Sequence, residues 1–370
     1  RSLKDMDAAS ARFLTAVAQG ERIAVFADYD VDGGTSAALL INWLRDMGRP
    51  ATLYVPDRID EGYGPNDEAM SALAKDHDLI ICVDCGTLSH GPIAAAKGAD
   101  VIVLDHHLGG ETLPDAVAVV NPNRQDETGD LAHLCAAGVV FLMLVDANRI
   151  LREQGQKGPD LIAMLDLVGL ATVADVAPLI GVNRAFVRQG LTVMARRNRI
   201  GMTALSDVAG LDQAPTSYHL GFLLGPRVNA GGRIGKADLG ARLLSTNDKH
   251  EAESIAAKLD ALNTDRREVE AQVRDLALLG ARQAALAQED FVTAAGLLEQ
   301  LNQSNPTLAA SNNARLLLKQ GKAQQALDVM LTRPATEWSP VARGIAIEAA
   351  ITLQQFDLAR NWMQARGHGM

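Results

Sequence analysis

The chain has 370 residues, long enough for two or three domains with ample core, and 48% of them are hydrophobic. Its net charge of −10 excludes a broadly basic surface that coats nucleic acid, so any polyanion must be gripped locally, by metal ions and a few arginines. Cys82, Cys85 and Cys135 exclude a disulfide framework, and no apolar run reaches membrane-spanning length. No signal peptide is visible, the start at Arg1 instead of Met points to a trimmed N-terminus, and the expected setting is the reduced cytoplasm.

In chain order, residues 1–20 read as an amphipathic helix with Met6, Ala9, Phe13 and Val17 on one face. Ile23 to Phe26 reads as a buried strand, and it ends in Asp28, Asp30 and Asp32, then Gly33-Gly34, then a helix from about Thr35 to Met47. Ala51 to Val55 is a further strand, Arg58 to Gly64 a charged, glycine-containing loop expected to line a site, and Pro65 to Lys75 a helix with Pro in its first turn. Leu79 to Val83 and Val101 to Leu104 are apolar runs that end in Asp84-Cys85-Gly86-Thr87 and Asp105-His106-His107. The CxxC spacing of Cys82 and Cys85 straddles a strand end and reads as packing, not as a zinc or redox motif. A short strand over Val117–Val120 follows, then helices over Leu131–Arg152, Leu161–Val176 and Asn183–Asp207. Leu220 to Leu224 leads into a loop rich in Gly and Arg, and helices are expected over Asp238–Leu244 and Asn247–Leu276. This alternation predicts an α/β fold, a parallel sheet with flanking helices.

One strand that ends in carboxylates is explained by a solvated turn with capping aspartates. Three in succession point to one shared site, because ligands of open α/β sheets bind at the carboxyl ends of strands, and crowded carboxylates need a cation to stay ionised. Oxygen-rich sites with one or two imidazoles suit Mn²⁺ or Mg²⁺ better than structural Zn²⁺.

Asp28-Tyr29-Asp30-Val31-Asp32-Gly33, Val83-Asp84-Cys85-Gly86 and Asp105-His106-His107 resemble the first three motifs of the DHH phosphoesterase superfamily. Thr172 to Leu179 resembles the fourth, and Gly225-Pro226-Arg227-Val228-Asn229-Ala230-Gly231-Gly232-Arg233-Ile234-Gly235 resembles a segment typical of its RecJ-type members, 5′→3′ exonucleases specific for single-stranded DNA. The resemblance covers about residues 1–275. It implies two divalent ions, Mn²⁺ or Mg²⁺. Asp30, Asp84, His106 and Asp175 hold one, and Asp28 and Asp84 the other, with Asp84 bridging. Such a pair activates a water and clamps an in-line displacement at phosphorus. Phe26 stands where many relatives carry a ligating His, which puts the hold on the second ion in doubt. Asp84, His106 and His107 are the catalytic candidates. His107 is assigned to a phosphate oxygen or the leaving group, Asp105 to orienting an imidazole, and Asp32 to capping a loop. Arg227, Asn229 and Arg233, among glycines that let backbone approach a ligand, are candidates for downstream phosphates. Tyr54, Tyr63 and Tyr218 offer rings for a base, with nothing in the sequence to mark one out.

The implied function is hydrolysis of single-stranded DNA from its 5′ end to mononucleotides. The alternatives are a phosphodiesterase for short oligonucleotides or cyclic dinucleotides, or a non-catalytic scaffold. The expected organisation is a catalytic domain over 1–245, a connecting helix over 246–278, and an all-α region over 279–370. The glycine- and histidine-rich second lobe and the oligonucleotide-binding barrel of RecJ-type enzymes do not appear. Instead Ala294, Ala326 and Ala359 recur 32 and 33 residues apart, each after a turn-like site (Glu289-Asp290, Gln320-Gly321, Gln355-Phe356), with Pro306 and Pro334 closing units. That pattern resembles tetratricopeptide repeats and implies a protein partner.

Overall fold

Each strand is an uninterrupted apolar run, the pattern of a sheet covered on both faces. β1 (Ile23–Ala27), β2 (Ala51–Tyr54), β3 (Leu79–Val83), β4 (Asp100–Leu104) and β5 (Ala118–Val120) pair in parallel, in the order β2-β1-β3-β4-β5. The register sets Ala27 beside Val83 and Val83 beside Leu104, so the ends of β1, β3 and β4 open onto one place. The computed structural model describes residues 3–58, 60–288 and 290–364, and the chain divides into two units, Arg1–Arg266 and Arg267–Met370. No helix among the described residues is long and apolar enough to cross a membrane.

Alternate strand residues serve two cores. Ile23, Val25, Ala27, Ile81, Val83, Ile102 and Leu104 pack with α1 (Met6–Gln19), α2 (Val31–Asp46) and later helices; Ala24, Phe26, Ile80, Cys82 and Val103 pack with α3 (Asp67–Asp76) and α4 (His90–Ala95). α2 begins four residues before the predicted Thr35, because Asp30 caps it: Asp30 Oδ1 accepts from the N–H groups of Asp32 and Gly33 at 2.8 and 3.1 Å. The glycine pair is therefore helical. Gly33 is required by a close approach, since a Cβ there would lie 2.4 Å from the carbonyl oxygen of Asp28.

α5 (Ala136–Glu153) starts later than predicted and takes its cap from afar. The buried Asp32 carboxylate accepts from the N–H groups of Ala136 and Ala137 at 2.6 and 2.8 Å, satisfying two donors that the helix cannot. The apolar α6 (Leu165–Ala174), after a 3₁₀ turn over Ile162–Met164, ends at Asp175, and Val176 reverses the chain in a left-handed conformation, φ 57°. α7 (Gly181–Met194) and α8 (Ile200–Val208) follow.

The predicted Gly/Arg-rich loop is a helix. A π-helical turn over His219–Leu224 runs into α9 (Gly225–Ile234). Its glycines admit protein, not ligand: a Cβ on Gly232 would meet the carbonyl oxygen of Tyr29 at 2.7 Å, and on Gly231 the side chain of Leu259 at 2.9 Å. α10 (Leu239–Ser245) packs on α2, and α11 (Lys249–Ala287) runs well past the predicted Leu276.

The second unit is helical. The end of α11 is followed by α12 (Phe291–Ser304), α13 (Pro306–Lys319), α14 (Ala323–Leu331), α15 (Pro340–Thr352) and α16 (Phe356–Gln364), each packed on the next from α12 onward. Ala294, Ala326 and Ala359, one each in α12, α14 and α16, are all buried. Glu289 of the predicted first turn lies outside the described residues.

Candidate metal centre

Neighbouring strand ends bring the acidic residues together. Asp28 and Asp30 follow β1, Asp84 follows β3, the Asp105-His106-His107 run follows β4, and Asp175 closes α6. Asp84 is held in the left-handed region at φ 61°, a strained conformation for a non-glycine residue and one that clusters at functional sites. Three overlapping sets each have ligand atoms within 4.8 Å of one another: Asp28, Asp30 and Asp84; Asp84, His106 and His107; and Asp32, His106 and Asp175. His106 stands at the junction, with Nε2 3.2 Å from Asp84 Oδ1 and Nδ1 3.8 Å from Asp175 Oδ2.

Burial makes this crowd unfavourable without a cation. Asp28, only 4% exposed, is pushed up to about 7 by burial and by the charge of Asp30. Asp84 is driven well above the usual carboxylate range by burial, then by Asp32 and Asp30. Burial raises Asp175 and lowers His106. The buried oxygens Asp28 Oδ1 and Asp84 Oδ1 make no hydrogen bond. Carboxylate oxygens that carry charge, lack donors and converge beside an imidazole suit a hard divalent cation. Asp28 also has a measurable consequence. Its raised pKa means that the native state binds a proton the unfolded chain has released between about 3.8 and about 7, so metal-free stability falls as pH rises through that window. Thermal melts in chelator across this range are expected to show a shallower fall for Asp28→Asn than for wild type; parallel profiles would refute that cause.

The residues around the centre have definite tasks. Asp105 Oδ1 accepts from the His107 imidazole at 2.8 Å and Oδ2 from the Thr87 hydroxyl at 2.6 Å. Burial alone would raise Asp105, but these bonds hold it well below the usual range, and its bond raises His107 in turn. Asp32 lies in a set with His106 and Asp175, yet both its oxygens are taken by Ala136 and Ala137. Phe26 is fully buried and stacks on Tyr54, with ring centroids 5.2 Å apart, so it packs in the core. Asn229 Oδ1 accepts from Val31 N–H at 3.0 Å, bracing the start of α2 beside Asp30. Arg227 is held by Asp260 at 2.8 Å and by the carbonyl of Leu223 at 2.7 Å. The side chain of Arg233 lies outside the described residues.

Sequence reasoning did not single out Tyr63. Its hydroxyl lies 3.2 Å from the Asp84 carbonyl, to which it donates, and 3.4 Å from the His107 ring nitrogens. The signal available was its position between Gly62 and Gly64, in the loop after a strand whose neighbour carries Asp28 and Asp30. Tyr218 stacks on Phe222, 5.1 Å between centroids, and both are exposed.

A parallel sheet that presents an Asp-x-Asp pair, a lone Asp and Asp-His-His at adjacent strand ends defines the DHH class of protein. The family model described as "DHH family, N-terminal domain" matches residues 22–172. A crystal structure of exonuclease RecJ bound to manganese superposes with a TM-score of 0.68 at 33% identity, over 76% of this chain and 71% of that one. The single-stranded-DNA-specific exonuclease RecJ of Dickeya dadantii is 41% identical over 305 residues, 79% of this chain and 50% of the relative. RecJ of Bacillus subtilis is 36% identical over 79% of this chain and 36% of its own length. The chain belongs to the RecJ family of DHH proteins. It spans about half the length of the first curated relatives that it matches.

Proposed function

We propose that the chain is a divalent-metal-dependent phosphodiesterase that hydrolyses single-stranded DNA from the 5′ end to mononucleotides, in the cytoplasm. The observation that carries this reading is the pair of buried, donor-less oxygens on Asp28 and Asp84 beside His106. Two relatives crystallised with manganese, one from Thermus thermophilus, favour Mn²⁺, with Mg²⁺ as the alternative. Asp30, Asp84, His106 and Asp175 are proposed to hold one ion and Asp28 with Asp84 a second. Such ions, when bound, supply an acidified water and neutralise charge on a phosphoryl group.

The rest of the chemistry belongs to side chains. Asp105 keeps the His107 imidazole oriented and favours its protonated form, so His107 is proposed to donate to a phosphate oxygen or to the leaving-group oxygen. Tyr63, its hydroxyl proton given to the Asp84 carbonyl, packs beside His107 and borders the same space. Asn229 fixes the start of α2, and with it Asp30. Arg227 and Arg233 are proposed for downstream phosphates; the tie of Arg227 to Asp260 favours short oligonucleotides as a second reading, since one of the few arginines is then less free to track a long strand. The helical unit over 267–370 is proposed to recruit a protein partner.

The polarity test uses one long single strand labelled at either end. The reading expects immediate release of a labelled mononucleotide from the 5′ label and a progressively shortening ladder from the 3′ label. The reverse pattern would sink the polarity, and cleavage confined to dinucleotides would favour the short-substrate reading.

A further inference from the structure

Within the helical unit, Arg282 of α11 is only 4% exposed, a rare position for a guanidinium. Its NH2 group donates to the carbonyl of Asn312 in α13 at 3.0 Å, while its Nε makes no hydrogen bond. No carboxylate among the described residues pairs with it. Asp275 is occupied by Ser304 and Asn305, and Asp290 by the start of α12. Burial accordingly weakens its hold on the proton. A buried cation without a counter-ion costs free energy and calls for an explanation.

Arg282 lines a half-open groove of about 430 Å³ between α11 and α13, together with Arg315 and Lys319. Among the described residues three cations and no acid line this groove, in a chain whose net charge is −10. Leu286 and Leu316 supply an aliphatic wall, and none of the described lining residues is aromatic.

We infer that this groove binds an acidic peptide segment of a partner protein, with a carboxylate on Arg282 and an aliphatic residue on Leu286 and Leu316. Charge complementarity selects an anion, and a planar guanidinium matches a carboxylate in two-point fashion. The aliphatic wall favours peptide over nucleic acid, since an unpaired base seeks an aromatic face and the described lining residues offer none. This gives chemistry to the partner proposed for the helical unit and does not depend on the nuclease reading.

The test is fluorescence anisotropy with the full chain and a labelled peptide of alternating Asp and Leu, beside a Lys/Leu peptide and an oligothymidylate. Saturable binding of the Asp/Leu peptide alone through this groove is expected, weakened about tenfold or more in Arg282→Leu and in Arg315→Ala/Lys319→Ala, with DNA cleavage unchanged. The rim pair keeps the test valid if the buried replacement fails to fold. No binding of the acidic peptide, equal binding by wild type and the rim variant, or loss of oligothymidylate binding in place of peptide binding would each overturn the proposal.

Discussion

Asp84→Asn is expected to lose metal-dependent cleavage by on the order of 10³-fold or more, while the metal-free protein becomes at least as stable as wild type. Both halves follow from one position. Asp84 belongs to two of the three clustered sets and is the residue common to the two proposed ions. In the absence of metal its charge is buried against Asp32, Asp30 and Asp28, and removing it relieves that repulsion. Asparagine is chosen because it tolerates the left-handed backbone at φ 61° that alanine would resist. Thermal melts in chelator and in excess Mn²⁺ separate the two effects: wild type should gain stability with metal through mass action, and the variant should gain little. A variant that melts lower than wild type in chelator would show that Asp84 serves the fold, not a cation.

Gly33→Ala is expected to damage fold and centre together. A single added methyl would lie 2.4 Å from the carbonyl oxygen of Asp28 and 2.9 Å from its Cα, so backbone must move, not a flexible side chain. Overpacking of that kind costs about 1–3 kcal/mol, and a shift near 1 Å in a catalytic carboxylate costs about 10²-fold in rate. Denaturant unfolding together with Mn²⁺ titration measures both. The matched control is Gly280→Ala in α11, where a Cβ meets nothing within 4 Å and helix propensity alone predicts a gain of about 1 kcal/mol. Equal behaviour of the two variants would contradict the close approach of α2 to the end of β1.

The parts legible in the sequence were those encoded locally. The strands of the sheet are contiguous apolar runs, and the acidic residues at their ends sit within a few positions of each run, so the parallel α/β fold and the cluster of Asp28, Asp30, Asp84 and His106 could be anticipated. What escaped depended on distant partners. Nothing near Gly225–Gly235 says that its glycines face Tyr29 and Leu259, so a helix there read as a loop. Asp32 looked like a local cap, but the helix it caps begins 104 residues later. Tyr63 follows β2, and it joins the centre only through its bond to the carbonyl of Asp84 at the end of β3, 21 residues later. The isolation of Arg282 is a property of burial, which no spacing of charges reveals.

The central claim is that the ends of β1, β3 and β4, with Asp175, assemble a divalent-metal centre that cleaves phosphodiesters. Its most direct test is release of mononucleotides from 5′-phosphorylated single-stranded DNA, in Mn²⁺ and in chelator, by wild type and a folded Asp84→Asn protein. The account predicts release by wild type in Mn²⁺ and none in the other three reactions. Release in chelator, or undiminished release by the Asp84→Asn protein, would contradict it.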